Sequence, residues 1–390
     1  MAATDPRDSG AATPEATPPE RGKVGGVLLA ALALPGLGAP AVYADSAPEH
    51  ATIAYKQLHY QDSQSGLQRI HVDAPSLYLM TPIGANWSLA GSAVLDVVSG
   101  ASPRYYTSVS GASHMFDRRI AEDAKVTYYR SRSQFSFSAS HSKEDDYESN
   151  AFAADASFST EDNNTTFNFG AGASIDTINP VNHIVVDAHK HTREFLAGVT
   201  QALDPFDLVQ LQLGYSIGNG YYDDPYKLFD NRPGKHDQGT AVLRWNHQFE
   251  DWGSTLRTNY RYYRDSNQVH AHTIQLEWVQ PLGESFSVSP SLSYYTQSAA
   301  SFYIDPPNGD QNRFPNIPPG SYSSLDQRVS AFGGITAGGR VDWIISPHWS
   351  TNLKGDYHEE RAAWRLFGQG SPGLVPFRYV AFEFGLSYRF

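Results

Sequence analysis

The 390-residue sequence contains no cysteine. This absence excludes disulfides, thiolate catalysis, cysteine-ligated zinc or iron–sulfur clusters, and a covalent c-type haem, which needs a C-x-x-C-H motif. Positive charge is also scarce, since 29 Lys and Arg stand against 41 Asp and Glu and give a formal net charge of -12. Nucleic-acid binding depends on Lys and Arg that neutralise phosphates, so no nucleic-acid partner is expected.

Long apolar runs are missing as well. After residue 45 no stretch approaches the roughly 20 apolar residues that a transmembrane helix needs. A membrane protein with this sequence must therefore be a closed β-barrel, because lipid offers no other way to satisfy backbone hydrogen bonds. The chain is instead rich in aromatic residues (13%, with 23 Tyr) and in Gly (32 residues). A barrel in which lipid-facing and lumen-facing residues alternate has such a mixed composition.

The N-terminal segment has the pattern of a signal peptide. Residues 1–23 are polar and end with Arg21 and Lys23, and residues 24–39 form a short apolar run. The small-residue pattern Val42-Tyr43-Ala44 follows, so we expect residues 1–44 to be a signal peptide that is cleaved after Ala44. A short membrane anchor is the alternative. Residues 45–51 would then be a periplasmic leader, and residues 52–390 the barrel.

From residue 52 onward the chain repeats stretches of ten to fourteen residues that alternate apolar and polar side chains. Residues 207–218, for example, place Val209, Leu211 and Leu213 on one face and Gln210 and Gln212 on the other. Short turns alternate with mostly longer connections, as they do between the periplasmic and outer ends of outer-membrane barrels. The pattern predicts an all-β fold: a single transmembrane antiparallel up-and-down β-barrel of about sixteen strands with both termini in the periplasm. A soluble β-sandwich explains the alternation equally well, but it explains the aromatic residues near strand ends less well.

The predicted strands start near residues 52, 67, 87, 121, 134, 149, 165, 190, 207, 238, 254, 269, 286, 327, 349 and 378.

The last strand ends in a strictly alternating apolar face. Its members are Val380, Phe382, Phe384, Leu386, Tyr388 and Phe390. A lipid-facing strand needs such a face, and it resembles the C-terminal assembly signal that the barrel-assembly machinery reads by strand pairing. We therefore predict that these six residues form an assembly signal. The location expected is the outer membrane of a Gram-negative bacterium, with its lipid and lipopolysaccharide as surroundings.

The polar faces of the predicted strands carry charges of both signs. Sixteen strands enclose more space than their inward side chains can fill, so we expect a lumen that holds water or a loop folded inward. His71 and Asp73 are assigned to the same polar faces. The candidate lumen-lining residues are Arg244, Arg257, Arg261, Glu277, Arg340, Asp342, Glu383 and Arg389.

Several short motifs give only weak evidence for a metal or catalytic site. His189 with His191, and His270 with His272, have the i, i+2 spacing that lets two imidazoles on a strand share a metal, but no third ligand follows at a fixed spacing. The acidic groups at 144–146 and 223–224 match no calcium loop. Gly214–Gly218 matches G-x-S-x-G around Ser216, but the match lies within an alternating strand instead of the strand–turn–helix that a nucleophile elbow needs. No catalytic residue, metal or cofactor is therefore assigned.

Residues 71–103, with the long connection that follows and the sixteen-strand pattern, resemble an uncharacterised family of proteobacterial envelope proteins, the domain of unknown function 3570. The most specific element of the resemblance is D-x-x-SGASP, formed by Asp96 and by Ser99, Gly100, Ala101, Ser102 and Pro103. The resemblance covers about residues 52–390. It implies an outer-membrane barrel with a role in envelope redox chemistry, with any electron carrier supplied by a partner, and it carries over no catalytic residue.

Three functional hypotheses remain open. The first is a pore or conduit for a small solute, without enzymatic activity. The second is a non-conducting scaffold that holds a periplasmic redox or export partner. The third is a barrel hydrolase, which rests on Ser216 alone.

Overall fold

The computed structural model describes residues 46–64, 67–101, 114–306 and 315–390. The predicted signal peptide, and Ser102 and Pro103 of the D-x-x-SGASP element, lie outside these residues. Among the residues described, no helix is long and apolar enough to cross a membrane.

Sixteen antiparallel strands form one closed barrel, in which each strand pairs with its neighbours in sequence and β1 pairs with β16. The closing ladder runs from Thr52 opposite Arg389 to Gln64 opposite Phe377. Closure leaves no free sheet edge, so the backbone hydrogen bonds of each strand are met by its two neighbours. The predicted fold class is therefore confirmed.

The strands are β1 (Thr52–Gln64), β2 (Leu67–Ile83), β3 (Trp87–Ala101), β4 (His114–Arg130), β5 (Ser133–Lys143), β6 (Tyr147–Ser159), β7 (Thr165–Ile178), β8 (Ala188–Ala202), β9 (Asp207–Gly220), β10 (Lys235–Phe249), β11 (Ser254–Asp265), β12 (His270–Pro281), β13 (Phe286–Gln297), β14 (Phe332–Ile344), β15 (Trp349–Arg361) and β16 (Phe377–Arg389).

Two strands begin away from their predicted positions. β4 begins at His114 instead of near residue 121, because its ladder with β3 continues as far as the pair Ala101–His114. β14 begins at Phe332 instead of near residue 327, because Gln327–Val329 form a 3-10 helix that the Asp326 side chain caps. The first difference shortens the connection before β4, and the second lengthens the connection before β14. The number of strands stays as predicted.

The two ends of the barrel differ in their connections. At the end that holds Thr52 and Arg389, the turn end, the connections are short, and some need a left-handed backbone: Gly253 ends the 3-10 turn at Glu250–Trp252 with φ 59°. At the opposite, loop end lie L3 (144–146), L4 (179–187), L5 (221–234), L6 (266–269), L7 (298–306 and 315–331, the described residues of this connection) and L8 (362–376). Short periplasmic turns and longer outer loops are the usual arrangement of outer-membrane barrels.

The wall has two chemically different faces. Large apolar side chains on alternate positions are solvent-exposed, such as Phe137 (56%), Phe152 (54%) and Leu292 (53%), so this face needs lipid around it. The other alternate positions carry the polar and charged side chains and line the interior. Trp87, Trp343 and Trp349 lie on the outward face close to the turn end, where an aromatic girdle is expected.

Candidate functional site

The eight candidate lumen-lining residues all lie on the inward face. Arg244 pairs in register with Asn259 on β11, and Arg257 pairs with Glu277 on β12, so these side chains share one side of the sheet. The Arg257 Nη1 donates to the Glu277 Oε2 at 3.2 Å, and the Arg257 side chain is 44% exposed. An arginine that points inward and still reaches water indicates free space beside the wall.

The other predicted lumen charges also have inward partners. The Arg340 Nε donates to the Asp342 Oδ2 at 2.8 Å on β14. On β16, the Glu383 Oε1 accepts from the Lys56 Nζ of β1 at 3.0 Å, which ties the two strands that close the barrel. Arg389 lies at the turn end of the same inward face, in register with Thr52.

Arg244 and Arg261 each have a neutral neighbour on the inward wall. The Arg244 Nη1 donates to the Gln210 Oε1 at 2.5 Å, and the Arg261 guanidinium lies 5.6 Å from the centre of the Tyr263 ring. Both arginines keep their charge towards the interior. With Arg257 they form an arginine stripe on β10 and β11, a name we use for these three residues.

Sequence reasoning missed the buried ion pairs elsewhere in the wall. The Arg119 Nε of β4 donates to the Asp96 Oδ2 of β3 at 2.8 Å, and Lys190 of β8 lies 3.1 Å from Asp176 of β7. Arg119 was expected in a connection, because the alternation fades where β4 enters the loop end. Asp96, the first residue of the D-x-x-SGASP element, therefore has a structural partner in this wall.

The remaining described part of that element is Ser99, Gly100 and Ala101, which lie at the loop end of β3 in register with Phe116, Met115 and His114 of β4.

The assignment of His71 and Asp73 to the lumen was wrong. Both lie on the same face of β2 as Leu77 and Leu79, whose side chains are 49% and 46% exposed on the outer surface. Polar and apolar residues exchange faces along β2 towards the loop end, in the loop-side part of the lipid-facing band. Alternation alone does not reveal such an exchange.

The six residues of the predicted assembly signal share the outward face of β16. Phe382 and Phe390 are each 56% exposed, and Tyr388 packs on Trp349 of β15 with ring centres 4.7 Å apart. β16 is also the strand whose pairing with β1 closes the barrel. Their role in assembly stays a prediction.

Three loops cover the loop end of the lumen, and we call L5, L7 and L8 together the cap. L5 and L7 pair through two backbone hydrogen bonds between Asn231 and Ser323, each 2.8 Å. L8 joins L7 where the Ser371 N–H donates to the Ala331 carbonyl at 2.8 Å. The cap is thus one interlocked layer rather than three separate loops.

The cap rests on the inward face of the wall. The Gln64 Nε2 of β1 donates to the Gln327 Oε1 of L7 at 2.7 Å and to the Val375 carbonyl of L8 at 3.2 Å. Where L7 leaves the wall, the Gln297 Nε2 of β13 donates to the Ser330 carbonyl at 2.6 Å. Because both glutamines belong to the inward face, the cap folds across the mouth instead of extending away from it.

A buried cluster of charges locks L5 to L7. Asp326 of L7 is 2% exposed, and its Oδ2 accepts from the Arg232 Nη2 of L5 at 3.0 Å. The Arg328 Nη2 of L7 donates in return to the Asp224 Oδ2 of L5 at 2.7 Å, and Arg232 also pairs with Asp230 at 2.7 Å. Charge-assisted bonds of this kind are roughly twice as strong as neutral ones when they are well satisfied.

The cluster controls the ionisation of its members. Burial by itself raises the pKa of Asp326, but Arg328, Lys227 and Arg232 outweigh it and hold the pKa well below its usual range. Asp326 therefore stays ionised at any pH near neutrality. In the same loop layer, burial and the nearby Asp176 and Asp237 raise the pKa of Tyr222 to about 12.

Acidic residues of the groups at 144–146 and 223–224, which match no calcium loop, form hydrogen bonds and ion pairs among the loops. The Asp146 Oδ2 of L3 accepts from the Tyr226 hydroxyl of L5 at 2.8 Å. The Asp223 Oδ1 accepts from the Arg232 N–H at 2.6 Å, and Asp224 pairs with Arg328. Asp146 and Asp224 thus link two loops each, and Asp223 braces L5 itself.

The two histidine pairs lie on the outward face near the loop end. The rings of His189 and His191 are stacked with centres 6.4 Å apart. His270 and His272 each meet a tyrosine hydroxyl of β11 through Nδ1, at 3.0 Å and 2.7 Å.

Ser216 lies within β9, where it pairs in register with Gln238 and Glu194. This position inside a strand lacks the turn that a nucleophile elbow needs.

Solved outer-membrane barrels resemble this fold. A bacterial polysaccharide outer membrane secretin is 9% identical, with a TM-score of 0.51, and the match covers 87% of this chain and 98% of that chain. The CymD monoaromatic hydrocarbon channel is 10% identical, covering 88% and 89% (TM-score 0.44), and OccK11 (OpdR) from Pseudomonas aeruginosa is 8% identical, covering 89% and 96% (TM-score 0.44). At such identities the first similarity shows the fold alone, and the other two carry no further argument. The barrel fold supports an outer-membrane location.

No curated protein matches the sequence. A family of proteins of unknown function, DUF3570, matches over residues 106–194 and 183–381, which together span well over half of the chain. The D-x-x-SGASP element at 96–103, expected to be its most specific part, precedes the matched residues. The chain belongs to the DUF3570 family.

Proposed function

We propose that this protein is a conduit for small polar solutes across the outer membrane, with a mouth that the cap narrows. The observation that carries the proposal is the inward face of a sixteen-stranded wall, which holds charges of both signs with solvent access. Barrels of this strand number enclose a space wider than their side chains fill. The Arg257 side chain, 44% exposed although it points inward, fits a hydrated interior.

The distribution of the charges favours anionic solutes on one side of the path. The arginine stripe puts three positive charges on the inward face of β10 and β11, with Glu277 of β12 beside Arg257. Across the ring, β4 and β6 present Asp123 and Asp155 on their inward faces, together with Lys125 of β4. A transverse field of this kind orients a dipolar solute and separates anions from cations as they pass.

The cap makes the proposed conduit selective in size. L5, L7 and L8 span the mouth from β9 and β10 round to β1, so a solute has to pass beside them or displace them. Small solutes are therefore the class that the geometry supports.

The test is single-channel recording of the purified barrel in a planar bilayer, after heat-shifted gel migration shows that it is folded. We expect discrete conductance steps. The double variant Arg257→Gln/Arg261→Gln removes two inward positive charges and should lower the permeability of anions relative to cations. Arg264→Gln, which removes the same charge from the outward face of the same strand, is the matched control and should keep the wild-type ratio.

Silence from a folded barrel would contradict the conduit and favour the scaffold hypothesis, in which a periplasmic partner co-purifies. An unchanged ion preference in Arg257→Gln/Arg261→Gln would show that the arginine stripe does not select the solute.

A further inference from the structure

A polar patch interrupts the outward surface at β1 and β2. Close to the turn end, the outward face of these strands is apolar, with Ile53 and Tyr55 opposite Leu79 and Leu77. Further along the same face lie His59, His71 and Asp73. His59 stands about 18 Å above Thr52, at about 3.3 Å per residue on a strand tilted by ~40°. The lipid-facing band of such barrels is about 25 Å tall, so the patch lies in its loop-side part.

The backbone register brings the three side chains together. His59 of β1 pairs directly with Asp73 of β2, and His71 precedes Asp73 by two residues, so it lies next to Asp73 on the same face. Asp73 joins the two rings: its Oδ1 contacts the His59 Nδ1, and its Oδ2 lies 2.8 Å from the His71 Nε2. One donor atom from each residue lies within 4.8 Å of the other two.

We propose that His59, His71 and Asp73 form a binding site for a divalent transition-metal ion of the zinc class. Two imidazoles and one carboxylate are the protein ligands of many open zinc sites. Ligand atoms around tetrahedral zinc lie about 3.3 Å apart, as follows from bond lengths of about 2.0–2.1 Å. The present separations need only side-chain rotations to reach this value, since both strands keep their register.

The side chains have the freedom that such a rotation requires. Their exposed fractions are 56% for His59, 43% for His71 and 41% for Asp73. The open positions of the ion face away from the barrel, where an external donor completes the coordination. Imidazole nitrogen disfavours magnesium and calcium, which take oxygen ligands.

The other outward histidine pairs lack this combination. His189 and His191 stack on each other, and His270 and His272 bond to tyrosine hydroxyls. Among the described residues, the group at His59 is the one in which three such donors converge. The site lies on the opposite side of the wall from the lumen, so it is independent of the conduit.

The experiment uses the full-length folded barrel without a histidine tag, stripped with a chelator and held in detergent free of lipopolysaccharide. Zn²⁺ is titrated against a chromophoric chelator, and Co²⁺ is added separately to read the visible bands of a tetrahedral site. We expect one tight equivalent of Zn²⁺. Loss of a ligand in His59→Ala, His71→Ala or Asp73→Asn should weaken binding by at least about tenfold, since even residues that only support a ligand cost about 10–100-fold.

His189→Ala/His191→Ala is the matched control, because it removes two outward imidazoles from the same loop-side region and should bind Zn²⁺ as the wild type does. Heat-shifted migration checks that each variant is folded, and His59→Gln replaces His59→Ala if the alanine variant does not fold. The proposal is overturned if the wild type binds no stoichiometric Zn²⁺. It is also overturned if the site variants bind like the control, or if excess Mg²⁺ displaces the ion.

Discussion

The cap should come loose when Asp326 loses its charge. In Asp326→Asn the side chain keeps its shape, but Arg232 and Arg328 lose a carboxylate that each contacts at 3.0 Å or less. Breaking a buried ion pair by removing one partner costs about 3–5 kcal/mol, because the other charge stays buried without compensation. This cost falls on the attachment of L5 to L7, since both arginines and Asp326 belong to those loops.

A cost of about 3–5 kcal/mol corresponds to a rise of roughly 10² to 10³-fold or more in the population of the detached cap, at about 1.4 kcal/mol per factor of ten. The assay is single-channel recording together with hydrogen exchange of the L5 and L7 amides. We expect larger or longer conductance steps and faster exchange in both loops, with unchanged exchange in the strands.

Asp162→Asn is the control for this prediction. It removes a carboxylate that is bonded to Thr160 and Asn164 in the turn at the other end of the barrel, and it should leave the conductance as in the wild type. If Asp326→Asn and wild type show the same conductance and the same loop exchange, the charge cluster does not hold the cap, and the reasoning is refuted.

Two further predictions concern the wall and the pH response. Leu292→Arg puts a charge on the lipid face near mid-height and should destabilise the barrel by about 2–4 kcal/mol. The control Ser291→Arg, one residue away on the inward face and beside Glu277, should be tolerated. Equal urea midpoints for the two variants would contradict the assignment of faces. Burial and nearby carboxylates raise the pKa values of Tyr221 and Tyr222 from 10.0 to about 12. The neutral hydroxyls therefore stabilise the cap below pH 10, and this stabilisation is lost as the pH rises through 12. Conductance should therefore increase between pH 10 and 12 in the wild type and less so in Tyr221→Phe/Tyr222→Phe; identical pH profiles would exclude these tyrosines.

The wall was largely predictable because one physical rule governs it. Where a strand crosses the whole lipid band, apolar and polar side chains alternate with a period of two. The alternation around Leu276 or Phe384 therefore shows which side chains of the strand face lipid and which face the lumen. The rule fails near the loop end, as His71 and Asp73 show. There the outward surface becomes polar, and alternation no longer tells which face is which.

The particular contacts of the cap were beyond sequence reasoning for a different reason. Its contacts join residues far apart in the chain, such as Arg232 with Asp326, and neither lies in a periodic segment. The one signal available was the pairing of acidic residues in L5 with arginines in L5 and L7, and composition alone does not show that such charges meet in space.

The most direct test of a hydrated lumen uses the absence of cysteine, which makes every introduced thiol unique. Gln275→Cys and Leu276→Cys place a thiol on the inward and the outward face of β12, at adjacent positions. A charged, membrane-impermeant thiol reagent is applied to each folded barrel in lipid vesicles. We predict that the inward thiol of Gln275→Cys reacts and that its modification reduces conductance, while lipid protects the outward thiol of Leu276→Cys. Protection of the inward thiol in a folded barrel would contradict a water-filled interior.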